Sequence, residues 1–125
     1  MEKRILLYNF APFRAALVKK AVSRLPVLVK QVQKEDYLLP IGNAAGVKGV
    51  LPLGNRYEGE ELDQEMLIFA GLSSDELDQA LLALRRSGLA GIGLKAVLTQ
   101  TNQYWSALQL YEELKREHAA LQKRT

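Results

Sequence analysis

Two short stretches of this chain are apolar on both faces of a strand. In RILLYN (4–9), Ile5 and Leu7 alternate with Leu6 and Tyr8, and MLIFA (66–70) repeats the pattern. Strands of that kind are covered on both faces and sit centrally in a sheet. Each is followed by a helical period. After the turn at Phe10-Ala11-Pro12, with Pro12 suited to a first helical position, Phe13, Ala16, Leu17, Ala21 and Leu25 recur at three- and four-residue steps. They predict a buried stripe that leaves Arg14, Lys19, Lys20 and Arg24 mostly outside. Pro26 stops this helix. Residues 27–32 read as a second strand, nearer the sheet edge because of Lys30 and Gln31. After 66–70, Ser73 with Glu76 three residues on forms a capping box, and Leu77, Ala80, Leu81 and Leu84 make the stripe of the next helix. Gly88 ends it. Leu94, Ala96 and Leu98 then alternate with Lys95 and Val97 as a last strand. The polar turn Thr99-Gln100-Thr101-Asn102 follows, in which Thr101 or Asn102 can cap the closing helix. That helix carries Tyr104, Ala107, Leu108, Tyr111, Leu114, His118 and Leu121.

The chain therefore holds two similar strand–helix units, each followed by another strand. Two topologies fit an α/β domain over residues 1–125. In the first, a small, mostly parallel sheet of three to four strands has helices on both faces, and residues 33–65 cross over with a short helix starting near Glu35. The alternative is a ferredoxin-like βαββαβ arrangement with an added C-terminal helix, in which the middle is a decorated hairpin. The parallel sheet is preferred. The connection is long enough for a crossover, and the last helix can cover the second face. The first and third strands are then adjacent and parallel. Gly46, Gly49, Pro52, Gly54 and Gly59 predict a flexible connection over about 40–65, ending in an acidic run.

Composition narrows the chemistry. There are no cysteines, which excludes disulfides and thiolate catalysis. The apolar run at the N-terminus is too brief for the core of a signal peptide, and no stretch approaches a membrane span. A cytoplasmic protein is expected. Charge is unevenly distributed: residues 1–34 carry eight basic side chains and one acidic, 35–80 carry ten acidic and two basic, and 81–125 carry seven basic and three acidic. Such blocks form opposed faces or neutralise one another between neighbouring elements.

No catalytic or metal motif stands out. His118 lacks companions at ligand spacing. GLAGIG (88–93) precedes a strand instead of following one, so it lacks the helix start that a dinucleotide loop needs. GNAAGVKG (42–49) lacks the lysine–hydroxyl ending of a phosphate loop, and the carboxylates at 58–65 lack calcium-loop spacing. No metal and no cofactor are expected. Tyr104 and Trp105 suit core packing, with a stacking surface for a ligand as the sharper role of Trp105. In the parallel sheet, Asn9, Ser73, Ser74, Thr99, Thr101 and Asn102 all lie at the carboxyl ends of strands, where open α/β sheets bind ligands. The first helix has no good side-chain cap at Ala11, so its free N–H groups can face an anion.

The segments LLYNF, EML with FAG, LKAVLTQTNQYW and LYEELKREH resemble a small prokaryotic family catalogued only as a domain of unknown function. The resemblance is strongest over Glu65 to His118. Members commonly show Thr-Pro-Thr-Asn in the last turn, where this chain has Gln100 in place of proline. The resemblance implies a bacterial or archaeal α/β protein and no particular activity.

The function expected from all this is binding: a small anionic ligand at the strand-to-helix turns, with Trp105 beside it, or a protein partner. No nucleophile with an adjacent base is legible. The alternative is an enzyme acting through Thr99 and Asn102 on a phosphorylated or carboxylated small molecule. A third possibility is weak nucleic-acid binding through the basic first helix. No membrane partner is expected.

Overall fold

Both doubly apolar segments form the centre of one four-stranded sheet. The computed structural model describes residues 2–123. Its elements are β1 (Arg4–Tyr8), α1 (Pro12–Ala21), β2 (Leu28–Val32), α2 (Ile41–Ala44), β3 (Met66–Ala70), α3 (Ser74–Arg86), β4 (Leu94–Val97) and α4 (Ala107–Lys123). The strand order is β2-β1-β3-β4, so the fold is a mixed α/β sheet. β2 lies at an edge, as Lys30 and Gln31 suggest.

The central pair corrects the expected topology. β1 pairs with β2 in parallel and β3 pairs with β4 in parallel, but β1 and β3 are antiparallel, with Leu6 opposite Ile68 and Tyr8 opposite Met66. The antiparallel centre is shared with the ferredoxin-like alternative. There, however, each outer strand lies beside the other unit's central strand, whereas here it stays beside its own. The reason lies in the middle segment. Val32 and Met66 both register with Tyr8, so the connection leaves and re-enters at the same end of the sheet. Its length serves as a cover, with Tyr37, Ile41, Ala45, Val50 and Leu62 all buried. A turn of 3-10 helix at Lys34–Asp36 and the short α2 are its regular structure. Tyr57 stacks on Tyr37 with ring centres 5.9 Å apart, and the Tyr111 hydroxyl accepts from the Asp63 and Gln64 N–H groups.

Two cores result. On one face Ile5, Leu7, Leu67 and Phe69 meet Val18 of α1 and Ala80 and Leu84 of α3. On the other, Leu6, Tyr8, Met66 and Ile68 meet Ile41, Ala107, Leu110 and Tyr111. Burying an aliphatic side chain of this size stabilises by roughly 1.5–3 kcal/mol. Gly71 ends β3 with φ +79°, and a Cβ there would lie 2.7 Å from the Glu2 carbonyl oxygen. A left-handed turn pressed against the first strand accepts only glycine.

The stripe of α1 is phased differently from expectation. Ala15, Val18 and Val22 are buried, Leu17 is half-buried, and Phe13 is 73% exposed. Lys19, Lys20 and Arg24 are exposed, as expected. The closing helix starts later than its pattern implies. Residues 102–104 form a separate 3-10 turn, Tyr104 is exposed, and the Ser106 hydroxyl accepts from the Gln109 N–H at 3.2 Å as α4 begins.

Among the described residues three ion pairs join the charge blocks. Arg14 binds Glu65 through two nitrogens, at 2.8 and 3.0 Å. Lys3 pairs with Glu76 at 2.5 Å and Lys115 with Asp63 at 3.1 Å. The blocks thus neutralise one another between elements.

Candidate functional site

The antiparallel centre divides the polar turns between opposite ends of the sheet. The turn after β1 lies beside the start of β3, whereas the turns after β3 and β4 lie beside the start of β1. Asn9 is therefore separated from Ser73, Ser74, Thr99, Thr101, Asn102 and Trp105. This corrects the expectation that they share one edge.

Three of the second group, Ser73, Thr99 and Asn102, are bound up in their own turns. The Ser73 hydroxyl accepts from the Glu76 N–H at 3.2 Å, and the Glu76 carboxylate accepts from the Ser73 N–H at 2.9 Å. This is the capping box read from the sequence. Asn102 and Thr99 clasp each other. The Asn102 Oδ1 accepts from the Thr99 N–H at 2.8 Å, and the Thr99 hydroxyl accepts from the Asn102 N–H at 3.0 Å. The Asn102 Nδ2 donates to the Val97 carbonyl at 3.1 Å. Thr101 stands before the 3-10 turn without a side-chain capping bond. Trp105 is half-buried against the core of the α4 face, and its carbonyl accepts from the Ile41 N–H at 2.9 Å. Ser74 and Thr101 are exposed.

At the other end, Asn9 takes φ +63°, and its Nδ2 donates to the Leu62 carbonyl at 2.8 Å. It borders an open cleft of about 390 Å³ beside Ala11, Lys34, Glu35, Glu61 and Glu65. Ala11 supplies no side-chain bond to α1, which fits the expected uncapped start. Even with Glu65 neutralised by Arg14, Glu35 and Glu61 oppose the one lysine here, a balance that disfavours an anion. The Tyr37 hydroxyl, donating to Glu61 at 2.6 Å, is held well above the ordinary phenol range by burial and then by that carboxylate. It therefore stays protonated and cannot act as a base near neutral pH.

A third feature lies between the two helices on the same sheet face. A groove of about 410 Å³ runs between α1 and α3. Leu25, Leu82 and Ala83 are among its apolar walls, and Arg24 and Arg86 are its charged residues. Among the described residues no carboxylate lines it; Asp75 and Asp78 lie nearer the start of α3. Leu82 is 42% exposed. The sequence carries a signal for it: Leu82 falls outside the stripe of Leu77, Ala80, Leu81 and Leu84, and Arg86 follows it by one helical turn.

Among the described residues no group of His, Asp and Glu is placed to hold a metal ion, and no helix is long and apolar enough to cross a membrane. Residues 65–121 match the model of a family described as a domain of unknown function (DUF3783). That span runs from β3 into α4 and coincides with the strongest part of the resemblance read from EML, FAG, LKAVLTQTNQYW and LYEELKREH. No curated protein and no solved structure matches the chain.

Proposed function

We propose that this chain is a cytoplasmic binding domain whose α1/α3 groove receives an acidic amphipathic helix of a partner protein. The supporting observation is the groove itself: apolar walls from Leu25 and Leu82, two guanidinium groups, and no lining carboxylate. Its size lies within the range typical of binding clefts. An amphipathic helix places apolar side chains at i, i+3 and i+4 into such a groove, and acidic flanks complement Arg24 and Arg86. The turn residues support this ranking from the other side, because Ser73, Thr99 and Asn102 already hold local partners.

The probe is a fluorescent helical peptide with one leucine stripe and glutamate elsewhere. It is compared with the same peptide carrying lysine and with a mixed-sequence single-stranded oligonucleotide. Anisotropy should show salt-sensitive binding of the glutamate peptide. Leu82→Ser or the double change Arg24→Gln/Arg86→Gln should weaken it about tenfold, a loss of about 1.4 kcal/mol. Arg116→Gln, which removes a charge from α4, is the control. Equal binding of the lysine peptide, or an equal loss with Arg116→Gln, would overturn the proposal. Tighter binding of the oligonucleotide than of the peptide would make the basic face a nucleic-acid surface instead.

A further inference from the structure

A second, smaller depression lies where α3 meets β4, apart from the α1/α3 groove. Its volume is about 150 Å³, and it is lined by Leu81, Leu84, Arg85, Leu89, Ala90 and Lys95. Leu84 and Leu89 are buried and Leu81 is half-buried, so the walls are hydrocarbon. The charged groups are two cations. Among the described residues no carboxylate lines the pocket, and neither Arg85 nor Lys95 has a carboxylate partner within ion-pair distance.

Lys95 stands on an edge strand, where lysines usually point outward and discourage pairing with other chains. Here its ammonium instead donates back to the Ile92 carbonyl and lines the leucine pocket. Burial holds it below the ordinary lysine range, because losing water disfavours the charged form. An ammonium has three donors, and Ile92 takes one. Two therefore remain for a ligand, next to a guanidinium suited to carboxylate geometry.

We infer that this pocket binds a small amphiphilic monoanion, namely a carboxylate carrying a short hydrocarbon chain. The carboxylate meets Arg85 and Lys95 and relieves the burial of the ammonium. The chain lies on Leu81, Leu84 and Leu89. A volume of about 150 Å³ suits a short hydrocarbon chain. The assignment rests on residues distinct from the proposed protein groove and stands or falls separately from it.

The test is titration of the whole chain with acetate, butyrate and hexanoate, followed by NMR. 1-Hexanol and hexylammonium are the matched neutral and cationic probes. Saturable shifts are expected at Leu81, Leu84, Leu89 and Lys95. Affinity should rise about fourfold per added methylene until the pocket is full. Arg85→Gln and Lys95→Gln should each weaken hexanoate binding about tenfold while keeping the wild-type melting temperature. If Lys95→Gln lowers that temperature, Lys95→Met, which retains an apolar stem, provides the same comparison. Binding of hexanol or hexylammonium as tight as hexanoate would overturn the inference. So would affinities that ignore chain length, or hexanoate binding unchanged in both charge variants.

Discussion

Asn102 shows how a polar side chain after a strand can be engaged by its own turn. It is only 8% exposed, and its side chain and backbone together make three bonds to Thr99 and Val97. Replacing it with alanine leaves the Thr99 N–H and the Val97 carbonyl without those partners. Hydrogen bonds of this kind each contribute roughly 0.5–1.5 kcal/mol. Asn102→Ala should therefore lose about 2 kcal/mol in urea denaturation, while exposed Thr101→Ala stays within about 0.5 kcal/mol. Equal losses would mean that the clasp does not carry the turn. The polar cluster 99–102 is legible in the sequence, but its use is not. An asparagine that accepts from N–H groups of its own turn has the same one-dimensional pattern as one that faces a ligand. Gly42 makes a similar point. A Cβ there would lie 2.9 Å from the Gln103 carbonyl oxygen, a contact between segments sixty residues apart that no local pattern reveals.

Helices α1 and α3 differ in how plainly their sequences name the buried face. In α3 charged residues bound the apolar run 80–84 on both sides, and the predicted cap, stripe and terminal Gly88 all appear. Ser73→Ala should cost about 1 kcal/mol, the usual value of an N-cap. In α1, apolar residues occupy most positions from Ala15 to Val22, so three- and four-residue spacing selects more than one face. Phe13, Leu17 and Ala21 satisfy the period, yet Ala15, Val18 and Val22 are the buried positions. Val18→Ala should lose about 2 kcal/mol through lost burial and the cavity left behind. Phe13→Ser should stay within about 0.5 kcal/mol, as exposed substitutions generally do. The opposite order of stabilities, measured by thermal unfolding, would restore the stripe through Phe13.

For the whole molecule, the positions of β1 and β3 were legible and their relative direction was not. A strand apolar on both faces remains so when reversed, so hydrophobic pattern places it centrally without orienting it. Charge carries some of the missing information, because the basic and acidic blocks meet as Lys3–Glu76, Arg14–Glu65 and Lys115–Asp63. Glu76 provides the clearest test. Its carboxylate is held below the ordinary range first by the Lys3 ammonium and then by the Ser73 N–H. A carboxylate with a depressed native pKa binds protons more readily in the unfolded chain. Its contribution to stability is therefore present above the ordinary carboxylate pKa and is lost as pH falls through the lower native value. Glu76→Gln can still accept from Ser73, so it removes the charge while keeping a capping acceptor. The variant should be less stable than wild type at neutral pH, and the difference should shrink through the acid limb and vanish below the native pKa. Lys3→Met should move the Glu76 titration, followed by carboxyl carbon NMR, upward toward the ordinary range. A Glu76 that already titrates there in the unaltered chain, with parallel stability curves for wild type and Glu76→Gln, would show that this contact between the first strand and α3 contributes nothing to folding.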